Sequence, residues 1–286
     1  MIRILKSKEK IELVKEVFMI DEKVLMKLKH LVGLEYNKEV INSKYRWFQT
    51  NFGKEFLIKN NFKKEELLIH LFGNKEISNG MSLKYILERD SGFNTFGSIK
   101  GTYDFNYPIR FSSATYSWKI SQCSAQTEKE VLIDEAIKEL EVVIGEFLDI
   151  FKKVESLIPF SEVSKYSELD VFIKYKHKRL YNKMWFIKYL HMLYPQYFSN
   201  FYNNGSGTDW LPVLVSNLPI YKISNSKIIC NGQIAAYSKK FNTNMYDFSL
   251  MLYEYCKDHS DFVNPLYTDN ARRISFLNKH KGKKYE

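Results

Sequence analysis

Cysteine is scarce in this chain: Cys123, Cys230 and Cys256 stand far apart, with no Cys-x-x-Cys pair. An odd and widely spaced set excludes a stapled secreted framework and a structural zinc site, and it fits reduced thiols in the cytoplasm. Long apolar runs are missing too. No stretch approaches the roughly 20 residues that span a bilayer. The N-terminus, Met1 to Lys10, has neither an apolar core nor a small-residue cleavage site, so a cytoplasmic protein without a signal peptide or membrane span is expected.

The common catalytic signatures are also absent. There is no Gly-x-x-x-x-Gly-Lys-Ser/Thr loop to cradle nucleotide phosphates and no Gly-x-Gly-x-x-Gly. The six histidines are scattered and form no His-Glu-x-x-His, which excludes the usual metallohydrolase arrangement. Gly205-Ser206-Gly207 has the wrong spacing for a nucleophile elbow. A nuclease of the common restriction type needs Glu-x-Lys or Asp-x-Lys on a strand, whereas Asp21-Glu22-Lys23 opens a predicted helix. The sequence therefore points to no catalytic residue, no metal and no cofactor.

What is present is apolar and cationic. Of 286 residues, 45% are hydrophobic and 16% aromatic, enough for a core without disulfides. Lys and Arg number 43 against 33 Asp and Glu, a net charge of +10. Such an excess favours a polyanionic partner, because each cation that pairs with a phosphate releases condensed counterions. DNA is the expected partner, although basic composition alone also arises in Lys-, Asn- and Ile-rich chains.

Periodicity predicts a helical N-terminal block. Ser7 can cap a helix carrying Ile11, Val14, Val17 and Phe18, and Asp21 another that ends at Gly33. Further helices are expected near 37–50, 63–72 and 82–89. From Gly92 to Ser121 the pattern changes to period two. Tyr103, Phe105 and Tyr107 alternate with polar residues, followed by Phe111 and by Tyr116, Trp118 and Ile120, which predicts two or three short antiparallel strands. Thr127-Glu128-Lys129-Glu130 fits a capping box ahead of a long spine helix with a stripe from Val131 to Val154, roughly 40 Å long. The rest reads as a helical C-terminal half, with a loop at Gly205-Ser206-Gly207, a turn at Asn231-Gly232 and a helix from Met245 to Cys256.

Two groups of residues suit binding. Lys174, Lys176, Lys178, Arg179 and Lys188 interleave with Tyr175, Tyr181, Trp185 and Tyr189, while Arg272 and Arg273 precede a lysine tail. Cations hold phosphates, and aromatic faces stack on unpaired bases for about 1–3 kcal/mol each. Met184 to Tyr194 is apolar nearly all round, which assigns Trp185, Phe186 and Leu190 to a core and His191 to a hydrogen-bonded structural role. The second group, Tyr103, Phe105, Tyr107, Tyr116 and Trp118, has the aromatic area to line a pocket for a flipped base. The preferred reading of the same residues is one aromatic face of a small sheet covering the spine helix, since a small sheet needs such a cover.

The segment Trp185-x-x-Lys188-Tyr189-Leu190-His191-x-Leu193-Tyr194-Pro195-x-x-Phe198 resembles one in McrB-like proteins, the AAA+ GTPase subunits of modification-dependent (type IV) restriction systems. Asn231-Gly232-Gln233-Ile234 and Tyr246-Asp247-Phe248-Ser249 resemble stretches that follow it there. The resemblance implies the region that precedes the GTPase motor, which recognises a DNA target, often methylated cytosine, while a partner nuclease cuts. The motor's own signatures do not occur before Glu286.

Together these readings predict a mainly α (α+β) protein with a helical N-terminal block, a small antiparallel β element with a long spine helix, and a helical C-terminal half. The expected division is 1–160 and a basic, aromatic-rich 161–286. The expected function is DNA recognition in a restriction or phage-defence system, beside a motor or nuclease subunit. The alternative is an adaptor that docks a partner protein through its helical C-terminal half.

Overall fold

The computed structural model describes residues 38–96, 99, 107–122, 127–199 and 226–258. It is mainly helical with one three-stranded antiparallel sheet. Two compact units arise, one from Asn37–Tyr202 and one from Met1–Tyr36 with Asn203–Glu286. The division expected at 160 falls inside the first unit, because the helices that follow it pack back on those that precede it.

In the first unit, α1 (Lys38–Phe52) buries Ile41, Tyr45, Phe48 and Phe52, a stripe at helical spacing. The short α2 (Lys54–Lys59) leads to α3 (Lys64–Phe72), where Glu66 Oε2 accepts from the Lys63 N–H at 3.0 Å. Then come α4 (Lys75–Ser78), capped by the Asn74 side chain, and α5 (Leu83–Glu88), capped by Ser82. A 3-10 turn covers Ser91–Phe96. These positions match the helices predicted near 37–50, 63–72 and 82–89.

The sheet runs β1 (Ile109–Ser112), β2 (Ser117–Gln122), β3 (Thr127–Val131), in that spatial order. Its register pairs Phe111 with Trp118 and Trp118 with Val131, so Ile109, Phe111, Trp118, Ile120 and Val131 share a face. Both β1 and β2 contact the long helix that follows. The capping box expected at Thr127 is not formed. Thr127 to Val131 pair along β2, which engages the backbone groups a cap would use, and α6 (Ile133–Leu157) starts behind Leu132 without a side-chain cap.

Helix α6 is the spine. Its 25 residues span about 37 Å, and Ala136, Leu140, Val143, Phe147, Ile150, Phe151, Val154 and Leu157 form its buried stripe. It contacts α2, α3, the sheet and α7 (Val163–Lys176). Helix α8 (Met184–Leu193) buries every residue from Trp185 to Leu193. It contacts α1 and α5, and the Phe147 ring of α6 meets Trp185, Phe186 and Tyr189.

In the second unit, α9 (Lys227–Lys240) is capped by Ser226 and followed by α10 (Met245–Asp258). Stacked rings of Tyr237, Phe241 and Phe248 join the pair. The turn expected at Asn231-Gly232 is a helix interior. Asn231 Nδ2 donates to the Lys227 carbonyl at 2.8 Å, one turn back, so its side chain does not divert the backbone. The helices predicted around Ser7, Asp21 and Gly33, the strand at Tyr103 and Phe105, and the Gly205 loop lie outside the described residues.

Candidate nucleic-acid interface

The basic run straddles the end of α7, whose C-terminal carbonyls favour cations. Val171 and Tyr175, one turn apart, are 54% and 69% exposed, and the Lys174 ammonium lies 5.8 Å from the Tyr175 ring centre. Lys174 and, just past the helix end, Lys178 are exposed. This leaves one cation beside an accessible aromatic ring and a second exposed cation just past the helix end.

The other members of the run are engaged. Lys176 pairs with Asp149 at 2.7 Å and lies over the Phe172 ring. That lysine, more than the neighbouring His177, holds the Asp149 carboxyl below its ordinary value. Arg179 is a correction to the expected phosphate contact. Its Nε donates to Glu146 at 2.5 Å and its Nη1 to Glu139, both on α6, so its charge is already met inside the fold.

Lys188 is a second correction. It is 2% exposed, and its ammonium donates to the Leu87 carbonyl at 2.7 Å, capping the end of α5. Burial pulls its pKa down to about 8, against the opposing pull of Glu88 and Asp90. A DNA phosphate has no access to it. His191 lies one turn along, fully buried between the Tyr45 hydroxyl (2.9 Å) and the Phe198 carbonyl (2.6 Å). Burial lowers its pKa to about 4. Arg272 and Arg273 lie outside the described residues.

The aromatic pocket is not assembled by its described members. Tyr107 is buried and stacked on Trp185 with ring centres 4.7 Å apart, so a base could enter only by displacing a core ring. Trp118 is buried in the sheet against Phe111. Tyr116 stands 73% exposed in the β1–β2 turn with a positive φ of 50°. Burying apolar rings was stronger than presenting them, as the sheet-face reading required. Tyr103 and Phe105 lie outside the described residues.

One cationic concavity was not anticipated. A cleft of about 150 Å³ lies among the α3–α4 junction, α5 and β1, and its lining includes Lys75, Lys84, Arg89, Arg110 and Glu88. These residues are spread over some 35 positions in three elements, so no local pattern announces them. Among the described residues no group of three His, Cys, Asp or Glu side chains is placed to hold a metal ion. No helix among them is long and apolar enough to cross a membrane. Comparison of the chain with protein families, with curated proteins and with solved structures gave no match.

Proposed function

We propose that this chain is a DNA-recognition module of a restriction or phage-defence assembly. It acts in the cytoplasm, without catalysis of its own, beside a motor or nuclease subunit. The observation that carries the reading is the exposed end of α7, where the Lys174 ammonium lies 5.8 Å from the centre of the exposed Tyr175 ring and the exposed Lys178 follows just past the helix. Cations attract the phosphodiester backbone, and an exposed ring offers a stacking surface. The assembly itself is drawn from the resemblance of Trp185 to Phe198 to McrB-like proteins. Recognition of modified cytosine rests on that resemblance alone, with Tyr116 the one exposed aromatic among the described pocket candidates.

The test is a titration of the purified chain into labelled duplexes, unmodified and carrying modified cytosine, at several salt concentrations. Binding with a steep salt slope, tighter for the modified duplex, is the expected result. Equal binding removes the modified base from the reading, and no binding at low salt removes DNA.

A second reading draws on the same face. Val171 and Tyr175 also make an apolar contact suited to a protein partner, as an adaptor subunit needs. Self-association that is independent of nucleic acid, together with no DNA binding, favours it.

A further inference from the structure

The cleft between the α3–α4 junction, α5 and β1 is a second cationic surface, separate from the α7 face. Four of its lining side chains are cationic (Lys75, Lys84, Arg89, Arg110) and one, Glu88, is acidic. They enter from three elements, so several donors converge on one small volume.

The walls are fixed by hydrogen bonds. Asn74 Nδ2 donates to Ser113 Oγ at 2.6 Å, tying the α3–α4 junction to the β1–β2 turn. Ser82 Oγ donates to the Gly73 carbonyl at 2.6 Å, holding the start of α5 against the same junction. Arg110 is gripped by Glu128 through both Nε and Nη2 at 2.5 Å, so it serves the cleft as a fixed wall whose charge is met by that carboxylate, and the remaining cationic lining is Lys75, Lys84 and Arg89. Lys84 is buried, its ammonium 5.4 Å from the Tyr107 ring centre. Lys75 and Arg89 are exposed at the mouth. The walls are thus preorganised, and an anion that enters has to order the two side chains at the mouth.

Size decides the class of ligand. Pockets for whole organic ligands run from roughly 300 to 1,000 Å³, and a water occupies about 30 Å³. At about 150 Å³ the cleft has room for one polyoxygen group and a few waters. Guanidinium and ammonium donors together suit an oxyanion, phosphate among them.

We infer that this cleft is a binding site for a single phosphate group, carried either by a nucleic-acid strand or by a small phosphorylated compound. The site does not rest on the α7 face, and either can fail without the other. The experiment is the line width of inorganic phosphate in ³¹P NMR with the full chain, at constant ionic strength made up with chloride, for wild type, for Lys75→Glu with Arg89→Glu, and for Lys174→Ala with Lys178→Ala. Both pairs are exposed, and circular dichroism checks that each variant is folded. Saturable broadening is expected, weakened about tenfold or more in the first variant and unchanged in the second. Absence of broadening by the folded wild-type chain overturns the site, and so does equal broadening by all three proteins. Where phosphate binds, its displacement by a 5′-phosphorylated oligonucleotide in the Lys174→Ala, Lys178→Ala background assigns the group to a strand. Retention in that competition assigns it to a small compound.

Discussion

The Tyr45 hydroxyl and His191 Nε2 lie 2.9 Å apart, joining α1 to α8 across 146 positions of chain. The other ring nitrogen, Nδ1, is 2.6 Å from the Phe198 carbonyl, which can only accept. Nδ1 therefore carries the proton, and Nε2 accepts from the tyrosine. A neutral imidazole with both nitrogens partnered is thus built into the first unit's core.

Removing the donor tests that arrangement. Tyr45→Phe keeps the ring but leaves Nε2 buried without a partner, and we expect a loss of about 1–3 kcal/mol. Urea unfolding measures it, with the midpoint lowered and the slope m unchanged.

The same histidine sets an acid limit. Its folded pKa of about 4 lies below the ordinary value of 6.5, so as pH falls the unfolded chain takes up the proton first. Stability is full above about pH 6.5 and is lost on descent toward 4, by about 2 kcal/mol between pH 7 and pH 5. His70, also lowered by burial, acts with the same sign. Unfolding free energies at the two pH values should differ less in His191→Gln than in wild type, and an unaltered difference refutes the assignment.

Arg179 and Lys178 are neighbours with opposite expected behaviour. Arg179→Ala leaves Glu139 and Glu146 half-buried without their cation, at a loss of about 2 kcal/mol once partial solvent exposure is allowed for. Lys178→Ala, on an exposed side chain, should stay within about 0.5 kcal/mol. Thermal unfolding of the two single variants separates them.

For nucleic acid the ranking is different. Lys174→Ala with Lys178→Ala should weaken binding to all duplexes alike and reduce the slope of log affinity against log salt by about 2. Lys188→Met changes stability but leaves that slope unchanged, because its ammonium faces the Leu87 carbonyl. Fluorescence anisotropy across a salt series measures both.

Trp185 is a packing anchor. Trp185→Ala removes the ring that Tyr107 stacks on and Phe147 meets, and we expect a loss of about 3–5 kcal/mol. A loss below about 1 kcal/mol would contradict the stacked geometry.

The helices were legible where the apolar stripe is long. Leu140, Val143, Phe147, Ile150 and Val154 repeat at three- and four-residue steps and identify α6 without help from elsewhere. The start of that helix was not legible, since Thr127 to Val131 carries both a capping pattern and a strand-compatible one. Only pairing with β2 decides between them. Sites were harder still. The apolar surroundings of Lys188 already set it apart from Lys174 in sequence, but its partner, the Leu87 carbonyl, lies 101 positions away and is not legible there. Arg179 likewise meets acids 33 and 40 residues earlier. The aromatic residues follow the sheet-face reading and not the pocket, but the partner of Tyr107, Trp185, lies in a helix that its own alternation pattern does not mention.

Helix α6 carries Glu135, Glu139, Glu141, Glu146, Asp149 and Glu155, and each is held by a cation: Lys129, Arg179, Lys64, Arg179 again, Lys176 and Lys54. The spine is thus a resident polyanion that occupies much of the positive charge around it. A DNA strand approaching this unit competes with an internal rival for the same ammonium and guanidinium groups, so the 43 Lys and Arg overstate what the molecule offers outward, whereas the net +10 already subtracts the acids. Neutralising the spine, for example with Glu139→Gln and Glu146→Gln, releases Arg179 and turns a structural cation into an available one.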